Sequence, residues 1–179
     1  MLALGTPAPD FRLPDTLSDR VLGLAELRAE AATLVMFICN HCPYVKHVNA
    51  ELVRLARDYQ GLGVGFVAIS SNDAAAYPED APAEMTATGR ALGYSFPYLY
   101  DESQAVARAF DAACTPDFFL FDAGLRLAYR GRLDDSTPGN SRPVTGAELR
   151  AALDALLAGR EVSERQQPSL GCSIKFRKR

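Results

Sequence analysis

The chain has 179 residues, of which 48% are hydrophobic and 23% are charged, and its formal net charge is −3. This length is enough for one domain with a hydrophobic core and short for two. The weak negative charge gives no reason to expect nucleic acid or a membrane surface as a partner. No segment resembles a signal peptide or a membrane-spanning run of about 20 apolar residues, so we expect a cytoplasmic protein.

The chain contains four cysteines, Cys39, Cys42, Cys114 and Cys172. Structural disulfides are rare in the cytoplasm, so these residues are expected to be redox-active, metal-binding or inert rather than a disulfide framework. No glycine-rich phosphate-binding loop follows a predicted strand, and therefore no organic cofactor is expected.

The first part of the chain alternates between strand and helix patterns. Residues 11–13 and 21–22 predict a small hairpin, and residues 24–29 predict a short helix. The apolar run at 33–38 predicts a buried strand. Pro43 then begins the strongest helical pattern, with apolar residues at three- and four-residue spacing on one face. That face consists of Tyr44, Val45, Val48, Leu52, Leu55 and Tyr59.

Two further strands are predicted in the middle of the chain, with a helix between them. Residues 64–69 predict a second buried strand that ends in the polar loop 70–73. Residues 98–100 predict a short strand. Asp101 and Gln104, three residues apart, indicate an N-cap pair at the start of a short helix.

The last part of the chain contains a hairpin, a helix and a segment without clear pattern. Residues 117–121 and 125–129 predict an antiparallel hairpin. Thr145 and Glu148 predict a capping box at the start of the final helix. Residues 161–179, which include Cys172, carry little periodicity and are expected to form a C-terminal tail to a single domain at 1–160.

This order of elements indicates an α/β protein. Alternating strands and helices imply a parallel sheet with right-handed crossovers. The late hairpin adds antiparallel strands, so the central sheet is expected to be mixed, with helices on both faces.

The sequence Cys39-Asn40-His41-Cys42 lies between the first buried strand and the long helix. Pro is favoured at the first position of a helix, so Cys42 is expected near the N-cap, where the helix dipole and free backbone N–H groups favour a thiolate. Lys46 lies one turn further on, and its ammonium is expected to approach Cys42. A protonated His41 would stabilise the reduced pair and make its disulfide more oxidising.

Several of these features together resemble the thioredoxin fold. That fold combines a strand leading into Cys-x-x-Cys at a helix start with a later Thr-Pro, a strand hairpin and a closing helix. Residues 8–13 resemble the N-terminal extension of peroxiredoxins and related reductases. Residues 39–46, 114–119 and 171–175 resemble, more narrowly, the peroxiredoxin-like (AhpC/TSA-related, redoxin) proteins of the thioredoxin family. The resemblance implies a thioredoxin fold with a peroxiredoxin-like extension.

The resemblance also implies roles for individual residues, and it leaves the attacking cysteine open. Pro116 is expected to be a cis-proline that faces the cysteine pair, with Thr115 before it. In thioredoxins the first cysteine of the pair attacks and the second resolves, which assigns attack to Cys39. In peroxiredoxins the reactive cysteine directly precedes a proline, which assigns attack to Cys42.

Two departures from the peroxiredoxin pattern favour thiol–disulfide exchange over peroxide reduction. Cys39 stands where peroxiredoxins have a threonine, and Pro116 stands where they have an arginine. Those side chains hold and polarise the peroxide. The expected activity is therefore thiol–disulfide exchange with a thiol protein as partner, and the alternative is a peroxidase with Cys42 as the peroxidatic cysteine.

Other interpretations of the cysteines are also open. Cys39, Cys42 and either His41 or His47 offer three ligands to zinc or copper, although no further pair completes a set of four. Cys172 is either a resolving cysteine that swings towards the pair or a free surface thiol. Cys114 is expected to be a small core residue near Pro116, and a non-catalytic binding module is the third class of function.

Overall fold

The alternating strand and helix patterns of the sequence recur in the protein's three-dimensional structure, a computed structural model that describes residues 2–178. The elements in chain order are β1 (Arg12–Pro14), β2 (Val21–Gly23), α1 (Leu24–Leu27), β3 (Ala32–Phe37), α2 (Pro43–Tyr59), β4 (Val64–Ser70), α3 (Pro82–Leu92), β5 (Tyr98–Tyr100), α4 (Ala105–Ala109), β6 (Cys114–Thr115), β7 (Asp117–Asp122), β8 (Leu127–Gly131), α5 (Ala147–Leu157) and β9 (Cys172–Ser173). No helix within residues 2–178 has the length and apolar character needed to cross a membrane.

Five strands form the central sheet in the order β5-β4-β3-β7-β8. Strand β3 is parallel to β4 and antiparallel to β7, so the sheet is mixed, as predicted. All six residues of β3 are buried because this strand has a neighbour on each side and is covered on both faces. An unbroken apolar run in the sequence is typical of a strand at the centre of a sheet that is covered on both faces.

Alternate residues of the sheet contribute to two separate hydrophobic clusters. From β3, Leu34 and Met36 face the cluster that includes helices α2 and α5, whereas Val35 and Phe37 face the cluster that includes α4 and the β1–β2 hairpin. Helices therefore cover both faces of the sheet, as predicted. Phe110 packs at the centre of the second cluster.

The register of the strands brings three loops together at one edge of the sheet. Phe37, the last residue of β3, lies opposite Ile69 of β4 on one side and Asp117 of β7 on the other. The chain therefore leaves β3 and β4 at the same edge at which it enters β7. The cysteine pair, the polar loop after β4 and the Thr115–Pro116 loop meet there for this reason.

The starts of two helices differ from the prediction because distant side chains replace local ones. Glu148 does not close a capping box with Thr145 but pairs with Arg132 at 2.6 Å, and the N-cap of α5 is Gly146. The N–H groups of Thr145 and Gly146 donate instead to the carboxylate of Asp134, both at 2.7 Å.

The short helix α4 has Gln104 itself as its N-cap. The carboxylate of Asp101 accepts the N–H of Ala107 at 3.0 Å, inside the helix. The amide of Gln104 turns away and donates to the carbonyl oxygens of Ser71 at 2.7 Å and Lys175 at 3.0 Å. Gln104 thus links α4 to the C-terminal segment.

The segment 161–178 is bound to the rest of the fold although it contains little regular structure. Strand β9 pairs with β6, and Ile174 is buried in the second cluster. The N–H of Lys175 donates to Oδ1 of Asn72 at 2.8 Å, and its carbonyl oxygen accepts the N–H of Asp73 at 2.9 Å. The division into a domain at 1–160 and a tail at 161–179 stays a prediction, and its outer ends, Met1 and Arg179, lie outside the described residues.

Candidate active site

The cysteine pair lies where β3 passes into α2. Cys42 is the N-cap residue of α2 and Pro43 is its first residue, as predicted. Cys39 is 3% exposed and Cys42 is 0% exposed. Both are free thiols. The site therefore consists of two reduced, shielded cysteines at a helix N-terminus, where the helix dipole favours negative charge.

The loop before β7 closes over the pair. The Thr115–Pro116 peptide bond is cis, as the resemblance implies. The hydroxyl oxygen of Thr115 lies 3.4 Å from the sulfur of Cys39. The carbonyl oxygen of Thr115 lies 3.3 Å from the sulfur of Cys42. Thr115 therefore contacts both cysteines and sets the position of the pair relative to β7.

The two thiols of the pair differ in acidity. The hydrogen bond from Cys39 lowers the pKa of Cys42 to about 4 against the opposing effect of burial, and hydrogen bonds from Cys172 and Thr115 assist. The pKa of Cys39 is raised well above its usual range. The largest cause is the interaction with Cys42, and burial and the charge of Asp80 add to it. One negative charge shared by two close thiols is held mainly by one of them. This environment favours a thiolate on Cys42, with Cys39 as its protonated donor.

His41, between the cysteines, is held by a buried carboxylate. Its Nδ1 lies 2.5 Å from Oδ2 of Asp80. Oδ1 of Asp80 accepts the backbone N–H of Asn40 at 2.8 Å and that of His41 at 3.2 Å. The imidazole ring also stacks on Tyr77, with the ring centroids 5.2 Å apart. These contacts fix both the conformation of the loop between the cysteines and the orientation of the imidazole.

Asp80 is the site residue that sequence analysis missed. It lies in the short turn Pro78–Asp80 before α3, which has the pattern of an ordinary polar turn, yet its side chain is completely buried. Asn72, in the polar loop after β4, donates from Nδ2 to Oδ2 of Asp80 at 2.8 Å. One indication in the sequence that Asp80 belongs to the site is its position after the second parallel strand. Loops that follow neighbouring parallel strands meet at one edge of a sheet.

Two other basic residues considered from the sequence, Lys46 and His47, lie on α2. Lys46 is exposed and borders an open hollow beside His41. It is not among the main groups that lower the pKa of Cys42, and the expected approach of its ammonium to that sulfur stays a prediction. Nε2 of His47 forms a hydrogen bond with the hydroxyl of Ser136 at 2.7 Å, on the other side of α2.

Cys39, His41 and Asp80 offer three metal-ligand atoms, all within 4.8 Å of one another. Within residues 2–178 this is the one such group, and it differs from the predicted set, which combined Cys39 with Cys42 and a histidine. His41 and Asp80 are already bound to each other, and Asp80 also accepts two backbone N–H groups. The arrangement therefore suits proton transfer better than metal binding.

Cys172 reaches the pair from the C-terminal segment. The pairing of β9 with β6 sets Cys172 directly opposite Thr115. Burial and a hydrogen bond with Cys42 raise the pKa of Cys172 to about 11. The chain passes so close to the Thr115 loop at Gly171 that an added Cβ would overlap the Thr115 carbonyl oxygen. The structure therefore brings Cys39, Cys42 and Cys172 together.

Cys114 stands apart from these three. Its thiol donates to the carbonyl oxygen of Pro116 at 3.7 Å, and burial raises the pKa of Cys114 to about 12. Burial likewise raises the pKa of Asp117 to about 6, although its carboxylate accepts the N–H of Ala113 and the hydroxyl of Ser169. Cys114 thus lies near Pro116, as expected, but it is half-buried and not the core residue that the sequence predicted.

Replacing Asp117 with asparagine is expected to change the pH dependence of stability. The pKa of Asp117 in the folded protein is about 6, against an ordinary value of 3.8, so its ionisation destabilises the fold as the pH rises through this interval. The free energy of unfolding of the variant, relative to wild type, should increase by about 2–3 kcal/mol between about pH 4 and pH 7. Urea unfolding across this range measures the difference, and a constant difference would contradict the prediction.

Two solved structures that are very similar to this chain carry no stated function. The sequence profile of the AhpC/TSA family matches residues 4–130. An uncharacterized conserved protein from Geobacillus kaustophilus is 59% identical, with a TM-score of 0.99 over 100% of this chain and 95% of that chain. A hypothetical protein from Sinorhizobium meliloti 1021 is 51% identical, with a TM-score of 0.96 over 99% of this chain and 96% of that chain. No curated protein matches the chain.

More distant structures identify the fold. The thioredoxin domain of a thiol-disulfide oxidoreductase from Bacteroides vulgatus is 15% identical, with a TM-score of 0.62 over 73% of this chain and 89% of that chain. A putative thiol:disulfide interchange protein DsbE from Chlorobium tepidum is 19% identical, with a TM-score of 0.70 over 88% of this chain and 99% of that chain. The architecture of β3, α2, β4, β7, β8 and α5 is therefore the thioredoxin fold, as predicted.

Proposed function

Because the chain belongs to the AhpC/TSA family and has the thioredoxin fold, we propose that it is a thiol–disulfide oxidoreductase that works through Cys39 and Cys42. The observation that carries the proposal is the difference in acidity within the pair. Cys42 has a strongly lowered pKa, and the adjacent Cys39 stays protonated. A thiolate attacks disulfides and a thiol does not, so the pair supplies a nucleophile and a reserve thiol in contact.

The proposed reaction consists of two exchanges. The Cys42 thiolate attacks one sulfur of a substrate disulfide, a bond forms between them, and the other substrate sulfur leaves as a thiolate. Cys39 then loses its proton and attacks Cys42, which forms the Cys39–Cys42 disulfide and releases the second substrate thiolate. Two electrons pass from the protein to the substrate, and another dithiol must then reduce the Cys39–Cys42 disulfide.

The second exchange requires a proton acceptor for Cys39. The His41–Asp80 pair is suited to this role because the sulfur of Cys39, a ring nitrogen of His41 and a carboxylate oxygen of Asp80 lie within 4.8 Å of one another. An imidazole that takes up the proton becomes positively charged, and the carboxylate 2.5 Å from its Nδ1 stabilises that charge. Thr115, in contact with both sulfurs, keeps the pair aligned during the exchange.

Peroxide reduction with Cys42 as the peroxidatic cysteine is the second candidate function. The observation in its favour is that Cys42 is fully buried, since a small oxidant reaches such a sulfur more easily than a folded protein does. The groups around Cys42 are less suited to it, because Cys39 and Pro116 occupy the positions that the peroxiredoxin pattern assigns to threonine and arginine. No guanidinium donor is therefore expected to stabilise the developing charge on the peroxide.

The proposed partner is a thiol or disulfide protein that acts as substrate or electron donor, and the proposed compartment is the cytoplasm. A partner of this class follows from the chemistry, because each turnover leaves a Cys39–Cys42 disulfide that another dithiol must reduce. No organic cofactor takes part in this scheme.

Oxidation of the reduced protein by two reagents tests the proposal. The reduced chain is mixed with a protein disulfide or with hydrogen peroxide, quenched in acid, and mapped by mass spectrometry. We expect the protein disulfide to produce the Cys39–Cys42 bond at least tenfold faster than it oxidises an equal concentration of glutathione, because the adjacent Cys39 resolves the mixed disulfide within the same molecule. Rapid sulfenate formation on Cys42 with peroxide, with no advantage over glutathione for the protein disulfide, would instead establish the peroxidase.

A further inference from the structure

The C-terminal segment is fixed over the cysteine pair by contacts on both sides of Cys172. Before it, the hydroxyl of Ser169 donates to Asp117 and to the carbonyl oxygen of Gly131, at 2.9 Å and 2.6 Å. After it, Ile174 is buried and Lys175 is bound to Asn72. Cys172 is therefore held at the site in the reduced protein rather than swinging in from solvent.

The strand pairing aims Cys172 at one member of the pair. Cys172 lies opposite Thr115 in the β6–β9 register, and Thr115 is the residue whose carbonyl oxygen contacts the Cys42 sulfur. Of the two cysteines of the pair, Cys42 and not Cys39 affects the pKa of Cys172. Cys42 therefore interacts with two thiols, Cys39 and Cys172.

The three cysteines differ in solvent exposure, and therefore in how easily a protein partner can reach them. Cys39 and Cys42 are almost completely buried under the Thr115 loop and the C-terminal segment, whereas Cys172 is only partly buried. As with attack by Cys42 on a protein substrate, a protein dithiol reaches a disulfide between the two buried cysteines only when β9 moves aside. It can approach Cys172 while β9 remains paired.

We propose that Cys172 is a third redox cysteine, which receives the disulfide from the buried pair and presents it to the protein dithiol that re-reduces the chain. This inference rests on the proposed oxidoreductase function of Cys39 and Cys42, and it adds the residue at which the electron donor reacts. The donor belongs to the class of small proteins with a reactive dithiol.

Each step of this relay is a balanced exchange. The Cys172 thiol loses its proton and attacks Cys42 in the Cys39–Cys42 disulfide, so the Cys42–Cys172 bond forms and Cys39 leaves as a thiolate that takes up a proton. A donor thiolate then attacks the Cys172 sulfur, and Cys42 leaves as a thiolate. The second donor thiol attacks its partner sulfur, which restores Cys172 and leaves the donor as a disulfide.

The environment of Cys42 favours attack by the donor at Cys172. A sulfur with a low pKa is the better leaving group in thiol–disulfide exchange. The pKa of Cys42 is lowered to about 4 and that of Cys172 is raised to about 11, so breaking the Cys42–Cys172 bond expels Cys42 more easily than Cys172. In the first step, which expels Cys39, the contact of Cys172 with Cys42 selects the attacked sulfur against this preference. The more exposed sulfur is thus also the one at which attack is chemically favoured.

Disulfide mapping tests the first half of the relay. The Cys39→Ser variant, treated with oxidised glutathione, should form a Cys42–Cys172 disulfide as its main product, because the serine keeps a hydrogen-bond donor beside Cys42 but cannot form the bond. Cys114→Ser is the matched control, since Cys114 lies on the same β6–β9 ribbon and its thiol points to Pro116. The double variant Cys39→Ser/Cys114→Ser should give the same product in the same yield.

A glycine substitution tests whether strand pairing is required. In Cys39→Ser/Gly171→Ala the new Cβ would overlap the Thr115 carbonyl oxygen, so β9 should separate from β6. The yield of the Cys42–Cys172 disulfide should fall at least fivefold. Gly171→Ala alone should still form the Cys39–Cys42 disulfide, which shows that the variant is folded. Equal yields with and without the alanine would overturn the inference that the paired strand delivers Cys172.

Reduction kinetics test the second half. Oxidised wild type and oxidised Cys172→Ser are reduced by reduced thioredoxin, which serves as the protein dithiol, and separately by dithiothreitol. We expect the substitution to slow reduction by thioredoxin at least tenfold and reduction by dithiothreitol less than threefold. An unchanged rate with thioredoxin would overturn the relay, and a faster rate would show that the segment is a barrier instead. Failure of wild type to form any Cys39–Cys42 disulfide would be a separate result, against the proposed function itself.

Discussion

Replacing Cys42 with serine is expected to abolish thiol–disulfide exchange, with a loss of about 10³-fold or more in the rate of attack on a small aromatic disulfide. Cys42 holds the thiolate because Cys39 donates a hydrogen bond to it, and a serine hydroxyl remains protonated in that place. Cys39 does not replace it, because burial and the charge of Asp80 still raise the pKa of the Cys39 thiol when Cys42 is absent. Stopped-flow absorbance of the released aromatic thiolate measures the rate.

The matched variant is Cys39→Ser, and both are best compared in a Cys172→Ser background so that the third thiol does not resolve the product. Cys39→Ser should attack within about tenfold of the parent rate but should stop at a mixed disulfide on Cys42, detectable by mass. The opposite pattern, with attack retained in Cys42→Ser and lost in Cys39→Ser, would assign the nucleophile to Cys39 and the thioredoxin order of events.

Replacing Asp80 with asparagine is expected to slow the second exchange about 10²-fold while leaving the first within about threefold. The carboxylate of Asp80 is completely buried, lies 2.5 Å from Nδ1 of His41 and stabilises the charge that the imidazole acquires when it accepts the Cys39 proton. An amide cannot supply that negative charge. Single-turnover kinetics separate the two phases, because the first releases one substrate thiol and the second releases the other.

Glu79→Gln is the control for this experiment. Glu79 is the preceding carboxylate in the same turn, and it is exposed. The backbone carbonyl oxygen of Glu79 accepts a hydrogen bond at 2.8 Å from the side-chain amide of Asn40, which lies between the two cysteines. The substitution does not change this carbonyl group. A positioning role for Asp80 in the second exchange predicts a flatter pH dependence of the slow phase in Asp80→Asn alone. Equal slowing of both phases would indicate that Asp80 only supports the loop.

The sulfur chemistry of this site depends on groups that a local motif does not contain. The Cys-x-x-Cys motif and the following Pro43 account for the thiolate at a helix start. The choice of Cys42 over Cys39 depends on the Thr115 loop, on Asp80 and on Cys172, which all act on the pair from distant parts of the chain. Lys46, the residue that the helix pattern suggested, is exposed instead.

Local patterns were sufficient to identify most of the fold. A strand between two neighbours must be apolar on both faces, so the run at 33–38 by its composition alone indicates the centre of the sheet. The spacing of Val45, Val48, Leu52 and Leu55 likewise defines the buried face of α2, because one helical turn returns each side chain to the same side. The chain order of these patterns indicates an α/β protein with a mixed sheet, and the resemblance carried by Cys39–Cys42 and Thr115–Pro116 implied the thioredoxin fold.

Helix starts were less predictable because several donors and acceptors compete for the same N–H groups. The pattern of Thr145 and Glu148 is compatible with a capping box, but a salt bridge to Arg132 engages Glu148, and Asp134 accepts the N–H groups instead. Such competition is decided by which side chains the folded chain brings within reach, and sequence spacing does not contain that information.

The cysteine pair itself could be identified from the sequence, because its spacing and its place between a strand and a helix are local properties. Only the tertiary structure decided which other groups act on it. Asp80 reaches His41 because the loop after the parallel neighbour β4 ends at the same edge of the sheet as β3. Cys172 reaches Cys42 because a segment without periodicity forms hydrogen bonds with β6 and with Asn72 and buries Ile174 without presenting a periodic apolar face. Contacts of this kind are made by backbone and buried polar groups, which produce no hydrophobic pattern along the chain.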